Sequence, residues 1–209
     1  MINYQAGILA EPVPPLARHI FFTLESTEHL AAALRRLAAM VDADATVVGL
    51  GKSLLQALDV QSDKLRIFPA LSNAGIDIPS TQHALWCWLH GDDRGELLHR
   101  TEALIAALAP ALKVVQVTES FRYLSGHDLT GYEDGTENPV EQAAVDAAID
   151  SESPGGSYAA VQHWVHDLKG FKALAQQEQD HIFGRRLSDN EELDDAPESA
   201  HVKRTAMED

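Results

Sequence analysis

The segment Ala84-Leu85-Trp86-Cys87-Trp88-Leu89-His90 constrains this chain most. Leu85, Cys87 and Leu89 alternate with Trp86, Trp88 and His90, the period of a strand that is apolar on one face. Such a strand has to lie in a sheet covered on that side. Its neighbours in sequence supply the cover. Residues 17–24 are β-branched and aromatic enough for a strand. A helix is predicted from Glu28 to Val41, where Leu30, Leu34, Leu37 and Val41 recur at helical spacing and Ser26 or Thr27 can cap the start. Thr46–Leu50 reads as a strand. A helix over Asp93–Leu108 and a strand over Lys113–Ser120 follow the alternating segment. A short strand is expected over residues 5–10, stopped by Glu11-Pro12-Val13-Pro14-Pro15. The order β, β, α, β, loop, β, α, β predicts an α+β unit of ferredoxin-like type, with helices on one face of an antiparallel sheet.

Beyond residue 120 the chain changes character. Gly126, Gly131, Gly135, Pro139, Pro154, Gly155 and Gly156 punctuate it, with an Ala-rich helix near Val140–Ile149. Residues 157–165 are expected to form a strand, and two short helices to follow around 168–173 and 176–183. The segment from Ser188 to Glu198 is acidic and turn-rich. Two domains are expected, 1–120 and 121–209.

Charge and cysteine usage exclude several function classes. The 209 residues carry 16 Lys+Arg against 32 Asp+Glu, a formal net charge of −16. A surface so acidic repels phosphate backbones and anionic headgroups, so neither nucleic acid nor a membrane surface is an expected partner. No apolar run reaches the roughly 18 residues of a membrane span, and residues 1–5 lack the basic start of a signal peptide. The single Cys87 excludes an internal disulfide framework, a CxxC redox pair and a CxxCH haem attachment. It reads as a small buried hydrophobe. A soluble cytoplasmic protein is expected.

Four features could carry chemistry. Gly49-Leu50-Gly51-Lys52-Ser53 has the end of a phosphate-binding loop, but Thr46 stands where the first glycine belongs. It reads as a strand-to-helix turn. Ten histidines raise the question of a metal, yet no tight ligand pair such as HExxH occurs. His163 and His166, on the expected strand, would point to opposite faces. In Gly131-Tyr132-Glu133-Asp134-Gly135-Thr136-Glu137-Asn138-Pro139, Asp-Gly and then Asn-Pro force a tight loop. Such a loop can hold a carboxylate against an apolar cavity, where desolvation would make it an acid–base group. Taken alone, the same residues read more readily as an Asx turn before a helix start, and their spacing is not that of a calcium loop. Finally, His201 follows the acidic run; a neutral imidazole is a standard axial ligand of haem iron.

Taken together, these segments resemble the dye-decolorizing (DyP-type) haem peroxidases, most closely the bacterial B-type group. Gly131-Tyr132-Glu133-Asp134-Gly135 is similar to the GxxDG motif of that family. Phe121-Arg122-Tyr123-Leu124 and Asp128-Leu129-Thr130 resemble its lead-in. Gly155-Gly156-Ser157-Tyr158, Val161-Gln162 and Gly184-Arg185 resemble later landmarks. Ser199-Ala200-His201 resembles the segment that supplies the proximal ligand.

The resemblance implies tandem ferredoxin-like halves and a haem b cofactor. It implies a peroxidase that reduces hydrogen peroxide and oxidises bulky dyes or phenols, small aromatic reductants, in one-electron steps. Asp134 is then the distal acid–base residue, and His201 the iron ligand. Gly135 and Thr136 lie at the haem, and Arg185 is a candidate partner of a haem propionate. Homo-oligomers are expected. The family places a distal arginine and closing strands after the proximal histidine; the sequence given stops at Asp209, so the second half is expected to be incomplete. That gap leaves open a haem-binding or haem-handling protein with little turnover, or a remnant that binds no haem. An acidic surface also favours neutral or cationic reductants over anionic ones.

Overall fold

The computed structural model describes residues 3–73, 75–152 and 155–205. Contacts divide the chain into two compact units, one of Met1–Phe121 with Pro139–Val161 and one of Arg122–Asn138 with Gln162–Asp209. Residues 139–161, expected with the second half, thus group with the first unit.

The first unit opens with a 3-10 turn at Ala6–Leu9 and continues through β1 (Leu16–Leu24), α1 (Leu30–Met40), β2 (Thr46–Leu50) and α2 (Lys52–Ala57). A small hairpin, β3 (Leu71–Asn73) and β4 (Ile76–Ile78), precedes β5 (Leu85–Gly91), α3 (Arg94–Leu108) and β6 (Leu112–Phe121). The four long strands form one antiparallel sheet in the order β2-β5-β1-β6. Two split β-α-β units arranged this way are the ferredoxin-like fold that the element order predicted. Apolar alternation on β5 does what its period requires. Leu85, Cys87 and Leu89 are fully buried with Ile20 and Phe22 of β1, beneath Leu30, Ala33 and Leu37 of α1 and Leu97, Leu104 and Leu108 of α3. Burial pushes the Cys87 thiol up to about 12, so it is an inert core group. On the opposite face Trp86 and Trp88 stack with His19, each ring centroid 5.8 Å from its neighbour. The Asp93 side chain caps α3 by accepting from the Glu96 amide at 2.9 Å. The last element of the first unit, α4 (Glu141–Ala148), lies in the expected place.

Two expected strands are absent. Residues 5–10 do not pair as a strand. Instead the Gln5 side chain bonds to the Val48 backbone in both directions, its Nε2 donating to the carbonyl at 2.9 Å and its Oε1 accepting from the amide at 2.8 Å. A side-chain amide therefore satisfies the free edge of β2 where a strand was expected. Residues 157–165 have no regular structure, and Trp164 and Val165 are 61% and 91% exposed. A β-branched, aromatic segment becomes a strand only when a neighbour completes its ladder, and none pairs with it among the described residues. Gly49–Ser53 is the turn from β2 into α2, as expected.

The second unit holds α5 (Leu168–Ala173), α6 (Gln176–Phe183) and α7 (His201–Thr205). Asp167 caps α5 by accepting from the Gly170 amide at 2.8 Å. Among the described residues, no helix is long and apolar enough to cross a membrane.

Candidate active site

The second unit contains every residue singled out as a site candidate. Its loop is built from short-range turns. Asp128 accepts from both the amide and the hydroxyl of Thr130, at 2.8 and 2.6 Å, and the Gly131 amide returns to the Asp128 carbonyl at 2.9 Å. Gly131 and Gly135 take φ of +102° and +70°, the left-handed region in which a side chain is strained. The Asn138 amide closes the far turn on the Gly135 carbonyl at 3.0 Å. The Asx turn thus sits at Asp128, just before the stretch in which it was expected, and the turn within the stretch is a backbone one.

Three contacts then fasten this loop to the segment 180–192. The Tyr132 hydroxyl donates to Asp180 of α6 at 2.5 Å. Asn190 Nδ2 donates to Glu133 Oε2 at 3.2 Å. Arg185 donates to Glu137 at 3.1 Å, to Glu192 at 2.7 Å and to the Asn190 carbonyl at 3.0 Å. Of the loop's three carboxylates, Glu133 and Glu137 are spent on these ties. Asp134 is exposed, and its carboxylate has no hydrogen-bond or ion-pair partner among the described residues. The expected apolar cavity around it is not seen here. The backbone alone is fixed, the Asp134 amide donating to the Gly126 carbonyl at 3.3 Å. Gly135 and Thr136 sit beside it, also exposed.

Arg185 is not free to take a propionate as expected. Its side chain is only 14% exposed and its guanidinium already holds two carboxylates and a carbonyl. It acts as a clamp on the loop.

His201 begins α7 and is exposed. Its ring packs against Phe183, the last residue of α6, with centroids 6.2 Å apart. Three other histidines of this unit hold polar partners, His127 with Ser125, His166 with Asp128 and His181 with Asp195. The ring nitrogens of His201 hold none among the described residues. What brings the two helices together is Gly184, the left-handed cap of α6 at φ +83°. A Cβ there would lie 2.4 Å from Val202 Cγ2 and 3.2 Å from Ala200 Cβ, so α7 can approach only a glycine. Gly184→Ala is expected to destabilise the unit by about 2–4 kcal/mol, combining a left-handed alanine with overpacking. An earlier urea-unfolding midpoint by circular dichroism, or wild-type stability, decides it.

The arrangement leaves one unpaired acid on a fastened loop and one unpaired imidazole on a fastened helix. Comparison with known proteins gives this pairing its context. Residues 125–209 match the family described as Dyp-type peroxidase, C-terminal. Over these residues the chain is similar to the DyP-type peroxidases. A dye-decolorizing peroxidase of Mycolicibacterium paratuberculosis is 35% identical over 130 residues, covering 59% of this chain and 37% of the relative. The match therefore spans about a third of that DyP-type relative's length. In three dimensions, a dye-decolorizing peroxidase from Bacteroides thetaiotaomicron superposes with TM-score 0.84 at 23% identity, covering all of this chain and 74% of the other. A DypB variant from Rhodococcus jostii RHA1, in complex with heme, superposes with TM-score 0.79 at 27% identity, over 93% of this chain and 70% of that one. The DyP-type ferredoxin-like fold is thereby established for the chain.

Sequence reading missed Asp180, Gln176 and Phe183, which build the support beneath the loop. The available signal was local: an aromatic residue immediately before a helix-ending glycine, in Phe183-Gly184.

Proposed function

We propose that the chain carries the haem-binding part of a peroxidase that reduces hydrogen peroxide and oxidises bulky dyes or phenols by one-electron steps, with haem b as cofactor. The observation that carries this reading is the pairing of an unpartnered Asp134 with an unpartnered His201 on one braced unit. The residues fit the group. Among the described residues no three His, Cys, Asp or Glu gather as a protein-only metal centre requires. A metal held by a lone imidazole must bring its other ligands with it, as haem iron does.

His201 would hold the iron through one ring nitrogen. Haem, when bound, supplies the redox equivalents that the side chains lack. Asp134 would take a proton from one oxygen of hydrogen peroxide and return it to the other, so that the departing oxygen leaves as water. Two electrons, drawn singly from an aromatic reductant, and two protons complete the reduction to water. The ties at Tyr132, Glu133 and Glu137 hold Asp134 still while it does so. The net charge of −16 favours neutral or cationic reductants. A cytoplasmic, homo-oligomeric enzyme completes the reading.

Haem titration of the purified chain tests it. A saturable Soret band is expected at one haem per chain; no band at any ratio would overturn the assignment. The exposure of Asp134 favours one further reading, a haem-binding or haem-handling protein with little turnover. A haem-loaded chain that leaves hydrogen peroxide unconsumed would select it.

A further inference from the structure

Tyr132 is the buried member of an otherwise exposed loop, 2% accessible between Gly131 and Glu133. Its hydroxyl reaches Asp180 Oδ1, and that one oxygen also accepts from Gln176 Nε2 at 2.8 Å and from the Leu187 amide at 3.1 Å. Gln176 Nε2 stands 3.2 Å from the hydroxyl as well. The Tyr132 ring lies flat on Phe183, centroids 4.0 Å apart and planes 9° from parallel. Phe171 meets both rings edge-on, at 6.2 and 5.8 Å. Phe183 is in turn the ring against which His201 lies.

We infer that Tyr132 is a positioning residue that sets Asp134 and His201 on one support, its hydroxyl tying the loop to α6 and its ring bracing the Phe183 on which His201 rests. The inference rests on the proposed roles of those two residues. Packing by itself explains an aromatic ring here but not a hydroxyl, since phenylalanine would fill the same space. The hydroxyl is explained by the loop, which has no other buried anchor. Its chemistry suits a permanent tether. Burial, and then the carboxylate it donates to, push the Tyr132 hydroxyl up. Burial also pulls Asp180 upward, but hydrogen bonds from Tyr132, Gln176 and the Leu187 amide outweigh it and hold the carboxyl below its usual range. At neutral pH the donor stays protonated and the acceptor charged. The two functions are also separable, because hydroxyl and ring meet different residues of α6, Asp180 and Phe183.

The experiment uses the full chain with Tyr132→Phe, Tyr132→Leu, Asp180→Ala and Asp180→Asn. Without haem, amide hydrogen exchange is followed over 131–138 and 200–205. Tyr132→Phe and Asp180→Ala are expected to speed exchange in the loop about tenfold, as loss of one buried hydrogen bond does. Asp180→Asn should stay near wild type, because Oδ1 remains to accept all three bonds. Tyr132→Leu should also expose the 200–205 helix, which Tyr132→Phe should not. With haem added, Tyr132→Phe should slow peroxide consumption about tenfold through loop misplacement. It should leave the ferrous iron–histidine stretching frequency unchanged, while Tyr132→Leu shifts it. Wild-type exchange in Tyr132→Phe, or equal loss in Asp180→Asn and Asp180→Ala, overturns the tether. Unchanged 200–205 exchange in Tyr132→Leu overturns the brace. If the wild-type chain binds no haem, the proposed function fails alone, and the exchange measurements still decide the role of Tyr132.

Discussion

His201→Ala is expected to abolish the histidine-ligated haem spectrum. Of the second unit's imidazoles, His127, His166 and His181 already hold polar partners and His163 lies exposed in an irregular segment, whereas His201 starts α7 with its ring resting on Phe183. Removing a residue that merely supports a ligand costs a metal site roughly 10- to 100-fold in affinity. Removing the ligand itself should cost at least that. The Soret band of the titrated variant should therefore be lost or shifted to that of loosely held haem, with the circular dichroism of the chain unchanged. Exposure of the residue makes the second result interpretable, since alanine leaves no cavity in a core. Imidazole added to the variant should restore the wild-type spectrum. A variant that keeps the wild-type band without added imidazole would show that another group holds the iron.

Asp134→Asn is expected to keep haem and lose speed. The substitution preserves size and removes the ability to carry a proton. Asp134 makes no side-chain bond among the described residues, so the loop, held through Tyr132, Glu133 and Glu137, should keep its shape. The peroxide-dependent change in the Soret band, followed by stopped flow, should slow by about 100- to 10,000-fold, the usual contribution of a positioned acid–base group. Haem affinity should not change. Glu133→Gln supplies the control, because that carboxylate is occupied as an acceptor of Asn190 and a glutamine oxygen can still accept. Its effect should be far smaller. An Asp134→Asn variant reacting at the wild-type rate would remove Asp134 from the proton path.

Gly184 marks the limit of what either experiment can vary safely. The approach of α7 to α6 depends on a missing Cβ, so a change there moves His201 without touching it. The same dependence explains why spacing alone could not place His201. Its position is set by contact between residues of two helices, and neither helix announces the other in sequence.

Much of the first unit was legible because each element carried its own periodicity. Strand β2 lies at Thr46–Leu50 as read, and β5 buries the side of the alternation that is uniformly apolar. Helices α1 and α3 follow the leucine spacing. Where a residue's state depends on a partner, sequence reading failed. Residues 5–10 had the composition of a strand, but one glutamine side chain satisfies the β2 edge instead. Residues 157–165 had it too, and among the described residues they lack a neighbour to pair with. The β3–β4 hairpin and α2 are too short for a period to show.

At the site the same distinction holds. Asp134 and His201 were marked through the resemblance, because loop and ligand segments keep their residue types in order along the chain. Arg185 was a candidate propionate partner through the resemblance, and here it is engaged by Glu137 and Glu192. A cation in so acidic a chain has many candidate partners, and only folding selects among them. Tyr132 and Asp180 lie 48 positions apart, and no local pattern links them.

The sequence by itself determined the ferredoxin-like order of elements and the face of β5 that would be buried. Those properties follow from backbone periodicity and from side-chain chemistry, which a residue carries wherever it is placed. Tertiary structure decided which carboxylate of the loop stays unpaired, what Arg185 holds, and that Tyr132 and Gly184 brace the two sides of the site. These depend on distances of a few ångströms between residues far apart in the chain, which exist only once it has folded.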